Sequence, residues 1–140
     1  MCAQNLRPLE VEYKIKIMPY EIDVAGIVSN ISYIRWLEIL RVMILENHFP
    51  ISQMFSDGLL PTLGKTEIVY LKPLVYSNQV TGKMWVSSIS GKKVVADAEF
   101  LVGDSIHATA SQIGFFVDKK TMRSIAIPQN IKELYEGWTG

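Results

Sequence analysis

Between Ser32 and Glu46 the apolar residues fall on a helical stripe. Tyr33, Leu37, Leu40 and Ile44 recur at three- and four-residue steps. Trp36, Ile34, Val42, Met43 and Leu45 widen the stripe and leave Arg35, Glu38 and Arg41 as a narrow polar edge. A helix this apolar has to be covered over most of its circumference, so whatever folds with it must wrap it. Asn30 is the candidate N-cap and Asn47 the candidate stop. Pro50 closes the connection, and residues 51–57 predict one or two further helical turns before Gly58.

The wrapping material is strand. From Glu10 to Ile17, Val11, Tyr13, Ile15 and Ile17 alternate with Glu10, Glu12, Lys14 and Lys16, which puts the two sets on opposite faces of a pleat. Met18-Pro19 ends that strand, because proline donates no ladder hydrogen bond. After the helix, strands are predicted over Thr62 to Leu71 and Gln79 to Ile89. A turn at Ser90-Gly91-Lys92 precedes a strand in which Val94, Ala96, Ala98 and Phe100 share a face. Gly103-Asp104-Ser105 is a second turn, and the last long strand runs from Ile106 to Val117.

Strand, long helix, then four strands, the last three an antiparallel meander, is an α+β order. It predicts a five-stranded antiparallel sheet wrapped around one long central helix. A cystatin-like fold is one competitor. A ferredoxin-like fold is another, but it needs a second full helix. The 140 residues make one domain, 1–140, with a short flexible N-terminus over about 1–9. A C-terminal tail over about 125–140 turns helical from Ile131 to Tyr135.

Formal net charge is zero and the basic residues are scattered, which argues against a nucleic-acid partner. The single cysteine, Cys2, permits no internal disulfide and fits a reducing compartment. No signal peptide is recognisable, and no run approaches the ~18 apolar residues of a membrane span. The expectation is a cytoplasmic protein.

Chemistry concentrates in Pro19-Tyr20-Glu21-Ile22-Asp23-Val24-Ala25-Gly26-Ile27-Val28-Ser29-Asn30, the connection into the helix. A helix start carries amides without intrahelical partners and partial positive charge. Such amides can stabilise an oxyanion, and a nearby carboxylate can attack a carbonyl or deprotonate water. On residue type alone, Asp23 reads more readily as a turn former or a dipole partner than as a catalytic group, and Gly26 as a turn.

The stretch Tyr20 to Val28, followed by Tyr33-Ile34-Arg35-Trp36-Leu37-Glu38, Arg41 and the strand ending Tyr70-Leu71-Lys72-Pro73, resembles the hot-dog acyl-CoA thioesterases. These are typified by 4-hydroxybenzoyl-CoA thioesterase and the Tol-Pal-associated thioesterases. The resemblance covers about Glu12 to Val117. It implies hydrolysis of an acyl-CoA or acyl-carrier-protein thioester, with Asp23 as the catalytic carboxylate and the backbone amide of Asn30 polarising the carbonyl. Gly26, Val28, Ser29 and Tyr33 are then the substrate-binding residues. It also implies no metal and no cofactor, coenzyme A arriving only as part of the substrate, and a homodimer or homotetramer. An acyl-thioester binder without turnover is the alternative of a different class. Ser29-Asn30 stands where the family has an aromatic or imidazole pair, so the acyl group does not carry over.

Other candidates rank lower. Glu21 is expected to be exposed or to bind a backbone group, and Glu67 is the reserve base. His48 suits the helix C-terminus as a cation. His107 shares an outer face with Thr109 and Ser111. Glu38 and Arg41 have the i,i+3 spacing of a pair.

Overall fold

The computed structural model describes residues 7–139, so Cys2 lies outside the described residues. Strand β1 (Val11–Lys16) leads through a short 3-10 helix (Pro19–Glu21) and a loop into helix α1 (Asn30–His48). Helix α2 (Ile51–Ser56) follows, then β2 (Leu59–Tyr70), β3 (Gln79–Ser90), β4 (Lys93–Val102), β5 (Ser105–Asp118), β6 (Ser124–Ile125) and helix α3 (Gln129–Thr139).

The strands form one antiparallel sheet in the order β1-β3-β4-β5-β2, and β6 pairs with β5. The sheet therefore has six strands where five were expected. The extra strand is two residues long, too short for a periodicity to register. It occupies the edge of β5 beyond the end of β4, opposite Phe116 and Val117. β2 begins three residues earlier than expected and contains Pro61. It is an edge strand, where a missing N–H costs no ladder bond.

α1 lies across the concave face and packs most closely on β3 and β1. Tyr33, Trp36, Leu37, Leu40 and Ile44 are buried against Ile15, Val80, Met84, Ala98, Phe100, Ala108 and Ala110. The small side chains let the helix approach. At Gly82 an added Cβ would already stand 3.1 Å from Ile15 and 3.3 Å from Leu40. The helix is less covered than its composition suggests. Ile31, Ile34, Ile39 and Val42 remain exposed, because the sheet curls around one side only.

On either side of the sheet, residues 7–9 and the C-terminal tail pack against it. Leu9 is 1% exposed, and the Pro8 carbonyl accepts from the Val86 amide at 2.9 Å, prolonging the alignment along β3. Arg7 bonds Glu10 and Glu99 and stacks 3.5 Å over the Trp85 ring. The tail is helical from Gln129, with Ile131 buried. No described helix is long and apolar enough to cross a membrane.

Candidate active site

The β1–α1 connection is a closed loop. Ile22 and Val28 form an antiparallel bridge, the Asp23 amide donates to the Ile27 carbonyl at 2.9 Å, and Gly26 N–H returns to the Asp23 carbonyl at 3.0 Å. Gly26 has φ of +82°, the left-handed region in which a side chain would be strained. Asp23 Oδ1 accepts from the Ala25 amide at 2.8 Å. That is the turn-forming role, and it occupies one oxygen only. Oδ2 has no partner among the described residues, and Asp23, Val24, Ala25 and Gly26 are all exposed.

The N-cap is Ser29, one residue before the expected Asn30. Its Oγ accepts from the Ile31 amide at 3.3 Å and its φ/ψ are extended. Serine and asparagine both cap well, so adjacent copies leave the choice to the backbone. The shift makes Asn30 the first helical residue. Ser29 N–H is bonded to the Glu21 carbonyl, Ile31 N–H to Ser29 Oγ, and Ser32 N–H to the Ser29 carbonyl. Asn30 N–H has no partner among the described residues, at the positive end of a helix of 19 residues.

Beneath the loop, Glu21 is 6% exposed. Its Oε1 accepts from the Trp36 indole at 3.1 Å, its Oε2 from the Met18 amide at 2.8 Å, and its carbonyl from Ser29 at 2.7 Å. One residue thus ties the end of β1, the helix cap and the second turn of α1 together. The expectation of a backbone contact holds, but Glu21 is buried, not exposed. An acidic residue with a Trp fifteen positions on was the available signal.

Val28 and Tyr33, expected on the substrate-binding surface, lie below it at 3% and 2% exposure. Tyr33 packs against Trp36, Tyr70 and Phe100 with ring centroids 5.1–5.5 Å apart. Burial, then the neighbouring Tyr70, pushes its phenol up to about 12. Gly26 and Ser29 remain at the surface and the cap. Glu67 alternates with the inward-facing Thr66 and Ile68 and points from the outer face. His107 also lies outside and meets the Pro73 carbonyl at 3.1 Å. His48 departs from expectation, since burial lowers its pKa and favours the neutral ring at the helix end. Glu38 acts on Arg41 through its charge, as their spacing predicts, but no direct hydrogen bond or close ion pair joins them. Arg41 Nη1 donates to Gln112 Oε1 at 3.1 Å, and Gln112 Nε2 donates to Thr66 Oγ1 at 3.0 Å.

A helix cradled in an antiparallel sheet defines a hot-dog protein. The chain belongs to the thioesterase-like superfamily, whose family model matches residues 17–134. It is 31% identical over 116 residues to YneP of Bacillus subtilis, named provisionally as an acyl-CoA thioesterase, covering 80% of this chain and 83% of that one. It is 25% identical over 128 residues to the long-chain acyl-CoA thioesterase FadM of Escherichia coli, covering 90% and 97%. Among solved structures, DHNA-CoA thioesterase from Staphylococcus aureus superposes with a TM-score of 0.80 at 20% identity, covering 93% and 89%. That likeness carries the fold. The expected family and fold are borne out.

Proposed function

We propose that this protein hydrolyses acyl-CoA thioesters to a carboxylic acid and free coenzyme A. The observation that carries the reading is a carboxylate in the closed loop and a helix-start amide two residues past its closure, the amide and one carboxylate oxygen having no partner among the described residues. The superfamily and the names of the two curated relatives support the substrate class.

With the thioester carbonyl oxygen on Asn30 N–H, Asp23 acts as nucleophile or general base. As a base, it takes a proton from water while the water oxygen bonds to the carbonyl carbon. The oxyanion that develops sits on the Asn30 amide. Collapse breaks the C–S bond, and the departing thiolate takes up the proton. Water is the sole co-reactant in this scheme, and no cofactor or metal takes part. Glu21 holds both ends of the loop and so aims Asp23 without touching substrate.

The single chain leaves β2 with one unpaired edge, flanked by exposed Val69, Tyr70 and Leu71 and by Ile31, Ile34 and Val42 of α1. An open edge beside an apolar face favours a homodimer joined through β2. Val69→Lys should convert such a dimer to monomer in light scattering.

Thiol release from aliphatic and aromatic acyl-CoAs and from carrier-linked thioesters tests the reaction. Asp23→Asn should lower kcat by about 10²–10⁴-fold and leave the melting temperature unchanged. An equally active variant would sink this mechanism.

A further inference from the structure

Basic residues that are far apart in the chain meet at one end of the sheet. Lys92 lies in the β3–β4 turn and Lys93 opens β4, while Lys119, Lys120 and Arg123 lie in the β5–β6 turn. Because β6 pairs with β5 beyond the end of β4, the two turns adjoin, and Lys92 Nζ donates to the Ser124 carbonyl at 3.3 Å. The α2–β2 connection closes the same end, its Gly58 carbonyl accepting from the Lys119 amide at 2.9 Å. Five of the chain's 14 lysines and arginines thus share one end of a molecule whose formal charge is zero.

Apart from the Lys92 bond, the described fold makes no use of these charges. All five cations are exposed, and none is in an ion pair among the described residues. The acids beside them are committed to the turns: Asp118 Oδ1 accepts from the Lys120 and Thr121 amides, and Asp57 Oδ1 from Gln53. Like charges gathered this way repel one another, and an anionic partner relieves the repulsion. The same turn carries an apolar side chain outward. Met122 is 63% exposed, and its φ of +60° is a left-handed conformation that glycine or asparagine adopts at lower cost.

These features select the anion. Four of the five cations are lysines, point charges on flexible stems, which suit a diffuse anionic surface better than a fixed carboxylate geometry. An apolar side chain projecting among cations matches a bilayer interface, where charge attracts and the apolar group enters the headgroup boundary. We propose that this end docks the protein onto a membrane surface bearing anionic lipid, with Met122 entering the headgroups. It lies at the Leu59 end of β2, away from the dimer face around Val69–Leu71. Helix α1 alone spans about 27 Å between Asn30 and this end. Docking is therefore separable from thioester hydrolysis.

Co-sedimentation of the full chain with vesicles tests the proposal. At ~0.1 M salt the wild type should pellet with phosphatidylcholine vesicles containing about one-third phosphatidylglycerol, and stay in solution with phosphatidylcholine alone. Salt at ~1 M should release it. A variant carrying Lys92→Gln, Lys93→Gln, Lys119→Gln and Lys120→Gln should bind at least ~100-fold more weakly, since each cation near an anionic surface contributes about fivefold. Arginine at the same four positions should preserve binding. Met122→Asn suits the left-handed turn and should weaken vesicle binding about fivefold with the fold intact. Asp23→Asn should bind as the wild type does, whatever its activity. A wild type that pellets with neither vesicle, or a glutamine variant that binds as well as the wild type, would overturn the proposal. Binding to soluble polyglutamate as tight as to the vesicles, with Met122→Asn indistinguishable from the wild type on both, would assign this end to an acidic protein instead.

Discussion

The two ends of α1 rest on the same sheet and are built in opposite ways. At the N-terminal end Tyr33, Trp36, Phe100 and Tyr70 fill the space ring against ring, and Glu21 is fixed by four hydrogen bonds. At the C-terminal end the helix roofs an empty, apolar volume. The filled end fixes the loop proposed to carry the chemistry, where a catalytic geometry would tolerate little displacement. The hollow end is lined mainly by apolar side chains that leave room between helix and sheet. Glu21 and Asp23 repeat the contrast at short range. The first is buried with both oxygens used, and the second is exposed with one oxygen unpartnered among the described residues.

The comparison is broken most directly by truncation. Trp36→Ala should cost about 3–5 kcal/mol, because it empties the packed end and leaves the Glu21 carboxylate short of a donor. Leu45→Ala, half-buried and facing the cavity, should cost less than about 2 kcal/mol, since little tight packing is lost. Urea denaturation measures both. Equal losses would mean that the two ends are packed alike.

Glu21→Gln comes next. It keeps the shape but turns an N–H₂ toward one of two N–H donors, so a buried group goes unsatisfied at about 1–3 kcal/mol. As a positioning residue, Glu21 should affect kcat more than KM. A uniform loss of folded protein, with the remaining molecules fully active, would reduce Glu21 to a structural role.

Most of the fold was legible in the sequence because it rests on periodicity. The stripe of Tyr33, Leu37, Leu40 and Ile44 and the face of Val94, Ala96, Ala98 and Phe100 are buried as their spacing requires. Boundaries set by single residues were less legible. Ser29 and Asn30 compete as caps, Pro61 is allowed only because β2 is an edge, and Leu9 precedes any alternating pattern. Periodicity assigns a side chain to a face but says nothing of how completely that face is filled, so the cavity had no sequence signal. Gln112 had one: it is a polar residue in register with Ala108 and Ala110 on an otherwise apolar face. Asp23 and Asn30 stood out only in the company of the surrounding motif, since a turn aspartate and a helix-start amide are common separately.

The two ends should also fail at opposite extremes of pH. Tyr33 titrates at about 12 in the folded chain against 10.0 when free of its surroundings. Its contribution is complete below pH 10 and is lost as pH rises from 10 toward 12, on the order of 2 kcal/mol. Tyr33→Phe should remove that alkaline step. A step that persists in the variant would assign it to another group.

The smallest effect belongs to the other end. His48 stands in the last turn of α1 against Phe49, with ring centroids 5.8 Å apart, and burial lowers its pKa below 6.5. The helix dipole favours the imidazolium there, and desolvation opposes it; the direction of the shift says that desolvation wins. A group with a lowered folded-state pKa binds its proton more readily unfolded. The stability it lends is therefore present above pH 6.5 and lost as pH falls through the folded value. A shallow acid-side decline in melting temperature should follow and should flatten in His48→Gln, while the alkaline step of Tyr33 is untouched. A decline of the same slope in the variant would place the acid sensitivity elsewhere. If the decline instead deepened, the dipole would outweigh burial at this helix end.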